Sequence, residues 1–195
     1  MASKKESTFI NMVLTLFLVA SVAAMALGGV YSLTKEPIAI AKKKKLEAAI
    51  KMVLPEFDTV RTVRVPADEA DSLTFYYADK GGEQIGVAIT TYTNKGFSGR
   101  IDLMVGLLND GTINNTAVLA HKETPGLGDK MDISKSNFSV QFQGKNPEAF
   151  NLSVKKDGGD VDAITAATIS SRAFCDAVVK AIDAFKKQEP GTENQ

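Results

Sequence analysis

Tryptophan is absent, histidine and cysteine occur once each, and the 23 basic and 23 acidic residues cancel to a formal net charge of +0. Each shortage removes a class of function. With one cysteine, Cys175, no intramolecular disulfide can close, and no iron–sulfur cluster can be held by thiolates of this chain alone. With one histidine, His121, a multi-histidine metal site is excluded, and no base–nucleophile motif of a hydrolase is recognisable around it. Overall charge lends no support to nucleic-acid binding. If such a chain handles electrons, it needs an organic cofactor or a metal held by a partner. Cys175 falls in a helical pattern and reads as a small packing residue. His121 reads as a structural or surface residue, with a catalytic acid as the weaker alternative.

Charge is also missing locally. No charged residue occurs from Ser7 to Thr34, and Phe9–Leu33 is apolar. As a helix, ~25 residues rising ~1.5 Å each reach ~37 Å, enough to cross a ~30 Å hydrocarbon layer with some tilt. The apolar region of a signal peptide is shorter, at ~7–15 residues, so an uncleaved anchor is the better reading. A stub over residues 1–8 precedes it. Lys4 and Lys5 lie before the span, and Lys35 and Lys42–Lys45 lie after it. Counting positive charges favours a cytoplasmic C-terminal side. The lysine run begins several residues past the span, however, and long domains translocate despite charge, so this signal leaves the orientation open.

Residues 34–56 read as a connecting helix that Pro37 opens and Pro55 closes, with Leu46, Ala49, Ile50 and Val53 at helical spacing. Lys42–Lys45 decorate its solvated side, with anionic lipid heads as an alternative partner. Thr59–Val65, Leu73–Ala78 and Gln84–Tyr92 then alternate as strands do, with Gly81-Gly82 as a hairpin turn. Ile101–Leu108 and Thr112–Leu119 flank a second turn at Asn109-Asp110-Gly111. Phe138–Phe142 fits a short strand or a helix equally. Phe174, Val178, Ile182 and Phe185 form one stripe of a final helix, whose last turn holds Lys186 and Lys187. The expected fold class is α+β: a mainly antiparallel sheet with flanking helices over residues 57–187, and a polar tail over 188–195.

Two segments carry chemistry. His121-Lys122-Glu123-Thr124-Pro125-Gly126-Leu127-Gly128-Asp129 interrupts regular structure after a strand, and its glycines would let a backbone approach a flat ligand. An ordinary surface turn is the alternative. Asp160-Val161-Asp162-Ala163-Ile164-Thr165-Ala166-Ala167-Thr168-Ile169-Ser170-Ser171 precedes the last helix, where free N–H groups suit a phosphate. Helix capping by the same hydroxyls is equally consistent with the pattern.

Taken together, GFSGRIDLMVGLLNDG, KETPGLGDK and DAITAATISS resemble, in order, the FMN-binding domain family. That domain occurs in the G subunit of Rnf electron-transport complexes and in the C subunit of the sodium-pumping NADH:quinone reductase. The resemblance covers nearly the whole chain, and the length suits the Rnf protein better. The family attachment motif reads Ser/Thr-Gly-Ala-Thr, any residue, then Ser/Thr. Here it stands as Thr165-Ala166-Ala167-Thr168-Ile169-Ser170, with alanine in place of glycine at 166.

The resemblance implies an FMN joined through its phosphate to the Thr168 side-chain oxygen. Thr165, Ala166, Ala167 and Ile169 would lie around it. Glu123, Thr124, Leu127 and Gly128 would lie beside the isoalloxazine ring. Asp162 would be read by a flavin transferase of the ApbE type. The family also implies other membrane proteins of the Rnf complex as partners, and a bacterial inner-membrane anchor with the domain on the extracytoplasmic side. No residue is assigned a catalytic role or a metal. A cofactor-free membrane adaptor is the remaining rival, and the intact Thr168 speaks against it.

Overall fold

A computed structural model describes residues 8–68 and 71–188. The expected stub, apart from Thr8, and the tail beyond Gln188 lie outside the described residues. The chain divides into two units, Met1–Lys44 and Lys45–Gln195.

The first unit is helical. Helix α1 spans Phe9–Val53 without a break and contains Pro37. It is long and apolar enough to cross a membrane. Its large apolar side chains from Phe9 to Leu33 are exposed, as lipid-facing residues would be. The expected second helix opening at Pro37 is instead a continuation of the first. Proline removes one backbone donor and crowds the preceding turn, but the helix runs on through it. It stops at Val53, two residues before Pro55, because a residue preceding proline is pushed out of the α region.

The second unit is built on a five-stranded antiparallel meander in the order β1-β2-β3-β4-β5. Its strands are β1 (Thr59–Asp68), β2 (Asp71–Lys80), β3 (Glu83–Gly96), β4 (Gly99–Leu108) and β5 (Ile113–Ala120). Lys80 faces Glu83 across a two-residue turn in which Gly81 and Gly82 have φ of 61° and 87°. Two successive positive φ angles are what a type I′ hairpin requires, which is why the Gly-Gly pair marks it. At the β4–β5 turn, the Asp110 carboxylate accepts bonds from both the N–H and the hydroxyl of Thr112, at 2.9 Å each.

Alternation splits the sheet into two faces. Phe75, Val87, Ile89, Leu103, Val105 and Leu107 point to one side and are buried against helix α2 (Thr168–Gln188). The stripe Phe174, Val178, Ile182 and Phe185 is buried there, and Lys186 and Lys187 close the helix. Strand β3 outlasts the stretch that alternation marks. Thr91 donates to the Ala177 carbonyl at 2.9 Å and Thr93 to Asp176 Oδ2 at 2.7 Å, so its last residues are held by α2. Residues 138–142 form a 3-10 turn. Phe138 and Phe142 pack on Phe174, with ring centroids 5.3 and 5.0 Å from it.

The other face is lined by Ala78, Ala88, Met104 and Ala117, and it buries Ala49, Ile50, Val53 and Leu54. The last turns of α1 are therefore a layer of the folded unit, whereas the spacing alone had made residues 34–56 a connector. Asn114 and Asn115 donate to the carbonyls of Val53 and Met52 at 2.8 and 3.1 Å, satisfying groups that a helix end leaves open. Of the lysine run, Lys45 donates to the Leu119 carbonyl at 2.6 Å.

Candidate functional site

The two chemistry-bearing segments each contain a type II turn. In Thr124-Pro125-Gly126-Leu127, the Leu127 N–H bonds the Thr124 carbonyl at 3.1 Å, and Gly126 has φ 77°. Proline and glycine occupy the positions this turn prefers. In Ile164-Thr165-Ala166-Ala167, the Ala167 N–H bonds the Ile164 carbonyl at 3.0 Å. Here the left-handed position falls to Ala166, with φ 61°, the only non-glycine with positive φ among the described residues.

The second turn delivers the chain into α2. Thr168 is its first residue, half-buried, and the N–H groups of the first turn have no acceptor within the helix. Ser171 braces the entry: its hydroxyl accepts from the Ile164 N–H at 2.9 Å and donates to the Ala167 carbonyl at 3.0 Å. Arg172 holds Asp157 through two 2.6 Å bonds, tying the preceding 3-10 turn (Lys155–Asp157) to the helix. That guanidinium holds the Asp157 carboxyl below the usual range.

The two segments meet inside the protein. Glu123 is 5% exposed. One oxygen accepts from the Ser98 N–H at 2.9 Å, in the β3–β4 turn, and the other from the Ser170 hydroxyl at 2.6 Å, in the first turn of α2. Gly128 lies against this contact, since a Cβ there would stand 2.5 Å from both Glu123 Oε2 and Ser170 Oγ. Thr124, Leu127, Thr165, Ala166 and Ile169 are exposed to solvent to differing degrees, and Ala167 is buried. Asp162 stands apart from this contact. Its exposed carboxylate pairs with Lys155 at 2.8 Å, and its backbone exchanges bonds with the Gln141 side chain.

His121 turns inward on its own segment, its Nδ1 accepting the Glu123 N–H at 3.1 Å, which makes it structural. Cys175 is buried and its thiol is pushed up to about 12 by burial, so it is no ready thiolate. Ser98 and Ser170 escaped the sequence reading as partners of Glu123. Ser170 was visible only as one hydroxyl among several, and nothing local connects it to a residue 47 positions away.

The sequence model of the FMN-binding domain matches residues 96–183, from the last residue of β3 into α2. The G subunit of the ion-translocating oxidoreductase complex of Vibrio cholerae serotype O1 (strain M66-2) is 35% identical over 95% of this chain and 93% of its own. The G subunit from Aliivibrio fischeri (strain ATCC 700601 / ES114) is 35% identical over 92% of this chain and 90% of its own. That of Shewanella baltica (strain OS223) is 42% identical over 58% of this chain and 55% of its own. The chain belongs to the G-subunit family of ion-translocating oxidoreductase complexes.

The residues present fit the cofactor of that domain. The Thr168 hydroxyl sits at a helix N-terminus, where free backbone N–H groups favour a phosphate. The alanine at 166 has a measurable cost. A left-handed residue with a Cβ is disfavoured by roughly 1–2 kcal/mol, part of which the entropy of glycine offsets. Ala166→Gly is expected to stabilise the fold by about 1 kcal/mol and to raise the melting temperature by about 2–4 °C. A thermal melt of the detergent-solubilised chain checks it; an unchanged or lower midpoint would refute the strain.

Proposed function

We propose that this chain carries FMN as a phosphoester on the Thr168 side-chain oxygen and passes electrons as a membrane-anchored subunit of an Rnf-type ion-translocating oxidoreductase. The observation that carries the reading is the placement of Thr168 as the first residue of α2. There its hydroxyl shares the helix end with unsatisfied N–H groups that offset phosphate charge. Flavin exchanges one or two electrons, so it links one-electron and two-electron carriers. The chain's own part is to hold and orient. Thr168 anchors the phosphate, and Thr165, Ala166, Ala167 and Ile169 shape the surroundings. Thr124, Leu127 and Gly128 present the loop beside the ring. This reading requires no base or nucleophile from the chain, and the complete reaction needs the partner proteins of the complex.

Asp162, exposed and paired with the exposed Lys155, is open to a docking transferase of the ApbE type. Mass spectrometry of the peptide containing Thr168, after co-expression with such a transferase, tests the reading. An FMN adduct on that threonine supports it, and an unmodified peptide sinks it and favours the cofactor-free adaptor.

The folded unit stands outside the cytoplasm in this proposal. Lys80, exposed beside the β2–β3 turn, is a suitable reporter. With Cys175 first replaced by serine, Lys80→Cys is expected to react in intact cells with a thiol reagent that cannot cross the membrane. Labelling only after the cytoplasmic side is opened would reverse the orientation.

A further inference from the structure

We propose that Glu123 is the positioning residue of this flavin site, a latch that holds three separate segments in one arrangement so that the ring meets a fixed surface. The proposal rests on the assignment of FMN to Thr168. The latch is formed by the two hydrogen bonds to Ser98 and Ser170, residues 25 and 47 positions from Glu123. It joins the β3–β4 turn, the 123–128 loop and the first turn of α2. Space is cleared for it on both sides by glycine. A Cβ at Gly96 would come 2.7 Å from Glu123 Oε1, and one at Gly128 would come 2.5 Å from Oε2.

A buried carboxylate is costly unless its oxygens are satisfied, and charge-assisted bonds hold geometry more strictly than neutral ones. No salt bridge to Glu123 occurs among the described residues, so these donors are what keep it in place. Each of the same three segments also exposes one large apolar side chain. Phe97, Leu127 and Ile169 are 68%, 40% and 47% exposed. Phe97 and Ile169 are the chain neighbours of the latch residues Ser98 and Ser170, and Leu127 is that of Gly128, which lies against the latch. Fixing the inner residues fixes these outer ones, which is where a flat apolar ring would rest. Neither bond by itself requires Glu123 to touch the ring.

Two variants perturb the same bond in different ways, one by weakening it and one by removing it. Glu123→Gln removes the charge, and Ser170→Ala leaves the carboxylate and removes its donor. Both are made in the full chain, flavinylated by co-expression and purified in detergent, with data normalised to the FMN found on Thr168. Each is expected to retain its flavin and to change the flavin's visible circular dichroism. Each should also move its midpoint potential by about 59 mV, a tenfold change for a one-electron step. The double variant should match the single ones rather than their sum, because they share one interaction. In the flavin-free Thr168→Val background, amide exchange at Ser98 should accelerate in both variants while β4 stays protected.

Unchanged dichroism and potential in fully loaded, folded variants would overturn the proposal and leave Glu123 a fold-stabilising residue. A response to Glu123→Gln alone would overturn it in favour of direct action on the ring. Unaltered exchange at Ser98 would remove the latch while leaving Thr168 as the attachment site. A wild-type chain without flavin would remove the Thr168 assignment and this role with it.

Discussion

Thr168→Val is expected to abolish covalent flavin completely while leaving the protein folded. Valine keeps the branched shape of threonine and occupies the same first helical position, so packing around the half-buried side chain changes little. What it lacks is the oxygen that would carry the phosphoester, and no neighbouring group can substitute for a missing covalent bond. In a denaturing gel of chain co-expressed with a flavin transferase, the wild type should fluoresce and the variant should be dark. Thr168→Ser, which restores a hydroxyl, should recover part of the signal. Stability should stay within the range of an ordinary surface change, about ±0.5 kcal/mol. A fluorescent band persisting in Thr168→Val would place the bond on another residue. Thr165, exposed in the preceding turn, would be the first to test.

The second large effect concerns the opposite face of the sheet. Gly106 lies in β4 where the end of α1 crosses it, and a Cβ there would stand 1.9 Å from the Val53 carbonyl oxygen and 2.9 Å from Val53 Cβ. The obstacle is backbone, so no rotamer change relieves it. Gly106→Ala must therefore push the helix end off the sheet, stretching the Asn114 and Asn115 bonds to Val53 and Met52. Overpacking costs about 1–3 kcal/mol and each weakened bond about 0.5–1.5 kcal/mol, for a loss of about 3–5 kcal/mol. Against a total stability of about 5–15 kcal/mol this is severe. The melting temperature should fall by roughly 10 °C, at about 2–4 °C for each kcal/mol. Flavin on the surviving folded fraction should be unaffected, because Thr168 enters the helix packed on the other face. An unchanged melt would mean that the end of α1 is not a layer of this unit.

Local chemistry made much of this protein legible. Alternation in β1 to β5, the Gly81-Gly82 turn and the Phe174–Phe185 stripe each depend on neighbours a few residues apart, and all appear where those patterns put them. The order of motifs around Thr168 pointed to the family by the same kind of short-range information. Even the departure at Ala166 was visible in the sequence, although the left-handed φ that makes it costly is a property of the folded turn.

Contacts across long stretches of chain were not legible. Residues 45–53 read as a connector because helical spacing shows an apolar stripe but not what covers it. Ala78, Ala88, Met104 and Ala117 cover it only once the meander brings them onto one face. Pro37 looked like a helix start because proline is tolerated there, and in the folded chain it is interior. Phe138–Phe142 was ambiguous because five residues satisfy either period, and its conformation was settled by Phe174. Above all, Glu123 and Ser170 are ordinary polar residues until the sheet and α2 place them 2.6 Å apart. The sequence by itself determined the five strands, the final helix and the apolar span, and it singled out Thr168 as the candidate threonine, because propensity and motif are written in adjacent residues. Tertiary structure alone decided which segments hold that threonine's surroundings in place, because a hydrogen bond between distant residues leaves no periodic trace.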